Sequence, residues 1–220
     1  MKTPLTTFEP IKEYKFFTID ECDKIKEYAY RKEDELIKEG YKDTITNKTN
    51  SITTNNYFRY NFFRDHPVYC ERFVDFLRKT NQQLEWPILV QSWVNIYRKD
   101  DGLGWHNHLG GGRVSYNCLA ANIFIDGPTK PGTTYLNIGE WLEELNRENK
   151  KGCIQIFPAS IYHKVEPVSS DRISIGITIH SFESIDKDNI DLLALNSRKV
   201  SNSIVLSKRH YEDDVQEIQI

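Results

Sequence analysis

Residues 171–180 read DRISIGITIH. Isoleucine occupies every second position, at Ile173, Ile175, Ile177 and Ile179, and Arg172, Ser174, Gly176 and Thr178 fall between. Alternate side chains of an extended chain share a face, so this period of two predicts a strand with one wholly apolar side. Working back towards the N-terminus, PILVQSWVNIYRKD, RVSYNCLAANIFIDG, TTYLNIG, GCIQIFP and YHKVEPV have the same character. They are short, rich in β-branched and aromatic residues, and punctuated by Gly, Pro, Asp and Asn. Many closely spaced short strands predict a sandwich or barrel, here from about residue 88 to about 181. EWLEELNRENKKG interrupts them and reads as a short helix or a long loop.

The first 85 residues read differently. TIDECDKIKEYAYRKEDELIKEG predicts a helix, with Thr18 and Glu21 as a capping box and Gly40 as a stop. Ile19, Cys22, Ile25, Ala29 and Leu36 form its approximate apolar stripe. TITNKTNSITTNNYFRYNFF suggests strand and loop. Asp65 and Pro67 open a second helix, in which Val68, Phe73, Phe76 and Leu77 supply the apolar face. The expected organisation is a single domain over 1–220. It has a helical and strand support at 1–85, a β core at 86–181 and a C-terminal extension at 182–220. The extension suits an edge strand or a homodimer contact.

With 220 residues the chain is long enough to bury a real core. A net charge of −3 offers no basic footprint, so no nucleic-acid partner is expected. No apolar run reaches membrane-spanning length, and the N-terminus lacks a signal-peptide core. Cys22, Cys70, Cys118 and Cys153 form no CxxC pair and read as free thiols, which fits a cytoplasmic location.

Of six histidines, His106 and His108 stand one residue apart in GLGWHNHLGGG. On a strand they point the same way and can share one metal ion. His163 ends another apolar strand in FPASIYHKVEP. Three histidines from two strands can cap one face of an ion and leave positions open for substrate and oxygen. His66 reads as a helix-start residue, His210 as a tail residue, and His180 as a weaker fourth candidate. Arg172 and Ser174 could form a carboxylate clamp, a planar fork beside a hydroxyl. The alternative is a polar outer face with Arg172 in a surface ion pair.

The order of these motifs resembles the iron(II)- and 2-oxoglutarate-dependent oxygenases, the prolyl-4-hydroxylase-like group in particular. YRKDDGLGWHNH resembles that group's Tyr, Gly and His-x-Asp segment. FPASIYHKVEPVSSDRISIGITI resembles its distal His, Val-x-Pro and Arg-x-Ser segment, and FFTIDECDKIKEY its N-terminal helix. The resemblance covers roughly residues 14 to 181. It implies a mainly β fold with flanking helices, built on a double-stranded β-helix or jelly-roll core. It implies Fe(II), 2-oxoglutarate and O2, with oxidative decarboxylation to succinate and hydroxylation of an amino-acid-like or peptidyl substrate. His106 and His163 match the iron histidines, Arg172 and Ser174 the far-carboxylate pair, and Tyr116 a further residue facing the cosubstrate. Residues 44–60 and 126–130, with Tyr57, Phe58 and Trp105, would line the substrate.

One departure is plain. His108 stands where the family has a carboxylate ligand, which leaves the site one unit more positive. A second register, with His108 first and Gly110 in the carboxylate position, resembles the iron halogenases, in which chloride fills the vacancy. His106-x-His108 with Pro158 five residues before His163 also resembles a cupin-like three-histidine dioxygenase that uses no 2-oxoglutarate. The glutamate usual after a cupin His-x-His is missing from LGGGRVSYN. A non-catalytic metal-binding module is the third reading.

Overall fold

The computed structural model describes residues 11–40, 51–54, 60–81, 84, 88–108, 119–138, 142–181, 192–195 and 204–206. The fold is mainly β, with helices against one face. In chain order it runs β1 Lys12–Lys15, α1 Ile19–Lys38, β2 Ile52–Thr53, α2 Phe62–Asp65 and α3 Pro67–Thr80. Then come β3 Ile88–Tyr97, β4 Leu103–His106, β5 Leu119–Asp126, β6 Thr133–Ile138 and β7 Leu142–Arg147. β8 Cys153–Pro158, β9 His163–Val165, β10 Arg172–Ser181, β11 Leu192–Leu195 and β12 Ile204–Leu206 complete it.

The strands form two antiparallel sheets. The larger has the order β1-β8-β5-β10-β3-β11-β12, with β2 also on β3. The smaller has the order β4-β9-β6-β7. Together they make the jelly-roll core. The alternation of DRISIGITIH is realised on β10, paired on both sides by β3 and β5. Its four isoleucines are at most 1% exposed. They pack in one cluster with Cys22, Ile25 and Ala29 of α1 and Phe73 and Leu77 of α3. The helices therefore cover the outer face of the large sheet, and the other face of β10 looks inward between the sheets.

Thr18 caps α1 and forms the reciprocal capping box with Glu21. The Arg72 guanidinium holds the Glu21 carboxyl down to about 2 and ties α1 to α3.

Several expectations are corrected. Ile19 and Val68 are exposed, because the helices bury Cys22, Ile25, Ala29 and Leu36, and Cys70, Phe73, Val74 and Leu77, instead. Asp65 ends the short α2, which Asn61 caps by accepting from the Phe63 N–H; His66 then precedes Pro67 of α3. EWLEELNRENKKG holds a strand, β7, because pairing with β6 over Thr133–Ile138 overrides its helix-forming residues. The large sheet also recruits β1 and β2 from outside 88–181, while β11 and β12 extend its edge as expected of the C-terminal extension. No helix among the described residues is long and apolar enough to cross a membrane.

Candidate active site

One row across the small sheet sets the site. His106 pairs with His163, and His163 with Tyr135, so β4, β9 and β6 present these three rings on the same face. His108 follows two residues later, its backbone N–H donating to Ala159 O at 2.9 Å. The structure thus brings His106, His108 and His163 together. One ring nitrogen of each lies within 4.8 Å of the others, a grouping that could hold a metal ion. His108 Nε2 stands 3.2 Å from His163 Nε2.

The remaining nitrogens are occupied. His106 Nδ1 meets Gly104 O at 2.9 Å, and His163 Nδ1 meets Ile161 O at 3.1 Å. A carbonyl only accepts, so both rings carry their proton on Nδ1 and offer the Nε2 lone pair. His108 Nδ1 lies 2.6 Å from Thr178 Oγ1. Burial is the first cause lowering the pKa of all three, with His163 held at about 3 and His108 well below its ordinary value. Neighbouring histidines push His108 and His163 down further. All three are therefore neutral at pH 7, the form that binds a metal.

Further down β10, Arg172 is 1% exposed. This overturns the surface-ion-pair reading. Its Nη1 donates to Ser174 Oγ at 3.1 Å, and its Nη2 to Thr133 Oγ1 at 3.2 Å and Asn149 Oδ1 at 3.5 Å. Among the described residues no carboxylate pairs with it, and its buried Nε has no partner. Tyr97 and Phe124 place their rings 5.5 and 5.9 Å from Arg172 Cζ. A guanidinium keeps its proton even where burial opposes the charge, as it does here. The inner end of the barrel therefore holds a buried cation that, among the described residues, is supported only by neutral groups.

No protein-family model and no curated protein matches the sequence. Solved structures do. A Pseudomonas putida prolyl-4-hydroxylase aligns at a TM-score of 0.57 and 14% identity, over 79% of this chain and 93% of its own. The collagen prolyl hydroxylase of Paramecium bursaria Chlorella virus-1, in complex with 2-oxoglutarate, aligns at 0.53 and 15%, over 79% and 97%. HygX from Streptomyces hygroscopicus, with nickel, 2-oxoglutarate and hygromycin B bound, aligns at 0.56 and 9%, over 79% and 83%.

The fold is that of the 2-oxoglutarate oxygenases.

Within this oxygenase fold, the histidines, Arg172 and Ser174 all face the space between the sheets. Tyr116, Tyr57, Phe58 and Gly110 lie outside the described residues. Trp105 is 40% exposed, with Lys164 Nζ 4.7 Å from its ring centre. Asp126 is engaged by Lys26 and Lys151 at the rim, not turned to the histidines. His180 continues the inner face of β10, and its buried Nε2 has no partner among the described residues.

Sequence reasoning missed Thr133, Tyr135, Asn149, Thr178 and Trp93. Thr133 and Tyr135 alternate within TTYLNIG, and Thr178 shares the period of Arg172, so strand periodicity carried a signal for those three. Tyr135 is fully buried; its hydroxyl donates to Gln155 Oε1 at 2.7 Å and its ring stacks near His163. Asn149 sits in a loop, held by Pro128 O and Pro131 O, where no local pattern marks it.

Proposed function

We propose that this chain is an iron(II)- and 2-oxoglutarate-dependent dioxygenase. The observation that carries this reading is Arg172, a buried cation without a carboxylate partner among the described residues, inside the barrel that also holds the three-histidine cluster. A buried charge needs an anion, and a dicarboxylate with its other end at the metal supplies one. The fit extends to the donor set, three imidazoles each with one ring nitrogen within 4.8 Å of the others. It departs from the usual two histidines and one carboxylate, which leaves the set neutral.

Each residue then has a task. His106, His108 and His163 hold the metal. Arg172 pairs with the far carboxylate of 2-oxoglutarate, with Ser174 beside it. Thr133 and Asn149 keep the guanidinium oriented, and Phe124 and Tyr97 exclude water, so the ion pair forms in a low dielectric. Tyr135 packs beside His163. Iron with 2-oxoglutarate and O2 would supply the oxidation of an unactivated substrate C–H, with succinate and CO2 as coproducts. The substrate is taken to be amino-acid-like or peptidyl, small-molecule or chain-borne. That assignment follows the prolyl-hydroxylase resemblance; the cytoplasmic location follows from the free thiols, and a homodimer contact from the C-terminal extension.

The all-histidine set favours a second reading, a cupin-like dioxygenase that uses no 2-oxoglutarate. That reading leaves Arg172 without an anion, which weighs against it. The deciding experiment is anaerobic. Iron(II) and then 2-oxoglutarate are added to metal-free protein, and a visible charge-transfer band is expected that weakens in Arg172→Ala. Tight iron binding with no band and no 2-oxoglutarate affinity would shift the assignment to the cupin-like enzyme, or to a metal-binding module if no oxygen is consumed.

A further inference from the structure

His106 and His163 are oriented by their own local backbone, since each Nδ1 meets a carbonyl two residues back. His108 is not. Its Nδ1 contact is the side chain of Thr178, 70 residues away in sequence. Thr178 is 4% exposed and rides on β10, which is paired at this position on both sides, with Gln91 and with Ala120. Its place is therefore set by the rigid middle of the large sheet.

A second support acts on the ring plane. Trp93 stacks near the His108 ring, with centroids 5.5 Å apart and planes 28° apart. Trp93 lies opposite Gly176, and a Cβ at 176 would come within 2.4 Å of Trp93 Cε2. Only glycine lets the indole settle there. Gly176 and Thr178 are successive residues on the inner face of one strand, one admitting the indole and the other meeting the imidazole. We propose that Thr178 is the positioning residue that makes His108 the third metal ligand, with Trp93, seated on Gly176, fixing the plane of its ring.

This inference rests on the metal site of the oxygenase reading and explains how an imidazole serves where a carboxylate is usual. A carboxylate offers two equivalent oxygens and needs no tautomer. An imidazole must present one nitrogen, in one form and one plane, so a support at the other nitrogen becomes necessary. A threonine hydroxyl accepts from Nδ1–H and leaves Nε2 free for the metal.

The test uses cobalt(II) alone on the full-length, metal-free protein, with visible spectra and titration as readouts. Thr178→Val is expected to weaken cobalt binding by about 10- to 100-fold, the range for lost outer-shell partners. Thr178→Ser is expected to restore both affinity and spectrum, which recovery of packing alone would not do. Gly176→Ala is expected to change the spectrum by displacing Trp93. Should Thr178→Val not fold, Thr178→Ala is read in its place. Wild-type affinity and spectrum in Thr178→Val or Thr178→Ala would overturn the proposal, as would an unchanged spectrum in His108→Ala. A wild type that takes no cobalt sinks both this proposal and the metal site. A wild type that binds cobalt but then takes no 2-oxoglutarate sinks the oxygenase reading alone, and the Thr178 comparison still decides the inference.

Discussion

His108 Nε2 and His163 Nε2 stand 3.2 Å apart although 55 residues separate them in sequence. His163 has its proton committed to Ile161 O, so its Nε2 faces His108 as a lone pair. With a ring nitrogen of His108 and one of His106 beside it, all within 4.8 Å of one another, the three make a ready seat for a cation.

A divalent metal should therefore stabilise the fold. Zinc or cobalt at a hundredfold excess over its dissociation constant adds about 2.7 kcal/mol, which raises Tm by several degrees in a chain of this size. The rise should vanish in His163→Ala. Thermal unfolding with and without metal checks it, and an equal rise in the variant would place the metal elsewhere.

Arg172 separates stability from function. Replacing a buried, anion-free guanidinium by Met removes a desolvated charge, so the metal-free variant should be as stable as wild type or more so. Its 2-oxoglutarate affinity should fall by about 30-fold or more, as expected when one partner of a buried charge pair is lost. Calorimetric titration beside urea unfolding reads both. A variant that is much less stable yet still binds would show Arg172 to be structural.

Gly176→Ala should cost about 1–3 kcal/mol, the usual range for overpacking a filled site. The added methyl meets the Trp93 indole from below, and β10 is too well paired to move aside. Urea unfolding tests this. A neutral result would mean that Trp93 has room to tilt away.

Acid should destabilise the metal-free protein early. His66, His106, His108, His163 and His180 are all held below the ordinary histidine pKa, burial being the first cause in each, with His163 at about 3 and His180 at about 4. The unfolded chain takes up these protons near pH 6.5 while the folded chain refuses them. Stability is then full above pH 6.5 and falls as pH drops towards 4, each histidine contributing up to about 1.4 kcal/mol per pH unit within its window. Glu21, with its lowered carboxyl pKa, adds a loss of the same sign in the acid range. Unfolding free energies at pH 7.5, 6 and 5 should show the slope, and a flat profile would contradict it.

Much of the molecule is legible locally. The alternation from Ile173 to Ile179, the box of Thr18 and Glu21, and the proline opening α3 announce strand and helices because periodicity and capping act within one turn or a few residues. The same period puts Arg172, Ser174 and Thr178 on one face, and the His-x-His spacing pairs two rings. What tertiary structure alone decided are contacts between distant segments. LEELNR is a strand only because β6 lies beside it. Arg172 could equally have faced solvent until the small sheet and the Asn149 loop closed over it. His108 depends on a hydroxyl 70 residues away and on an indole seated over a glycine. Local sequence selects which face a side chain takes. Only the packing of two sheets selects what that face meets, because hydrogen bonding, burial and charge pairing depend on distances that chain spacing does not contain.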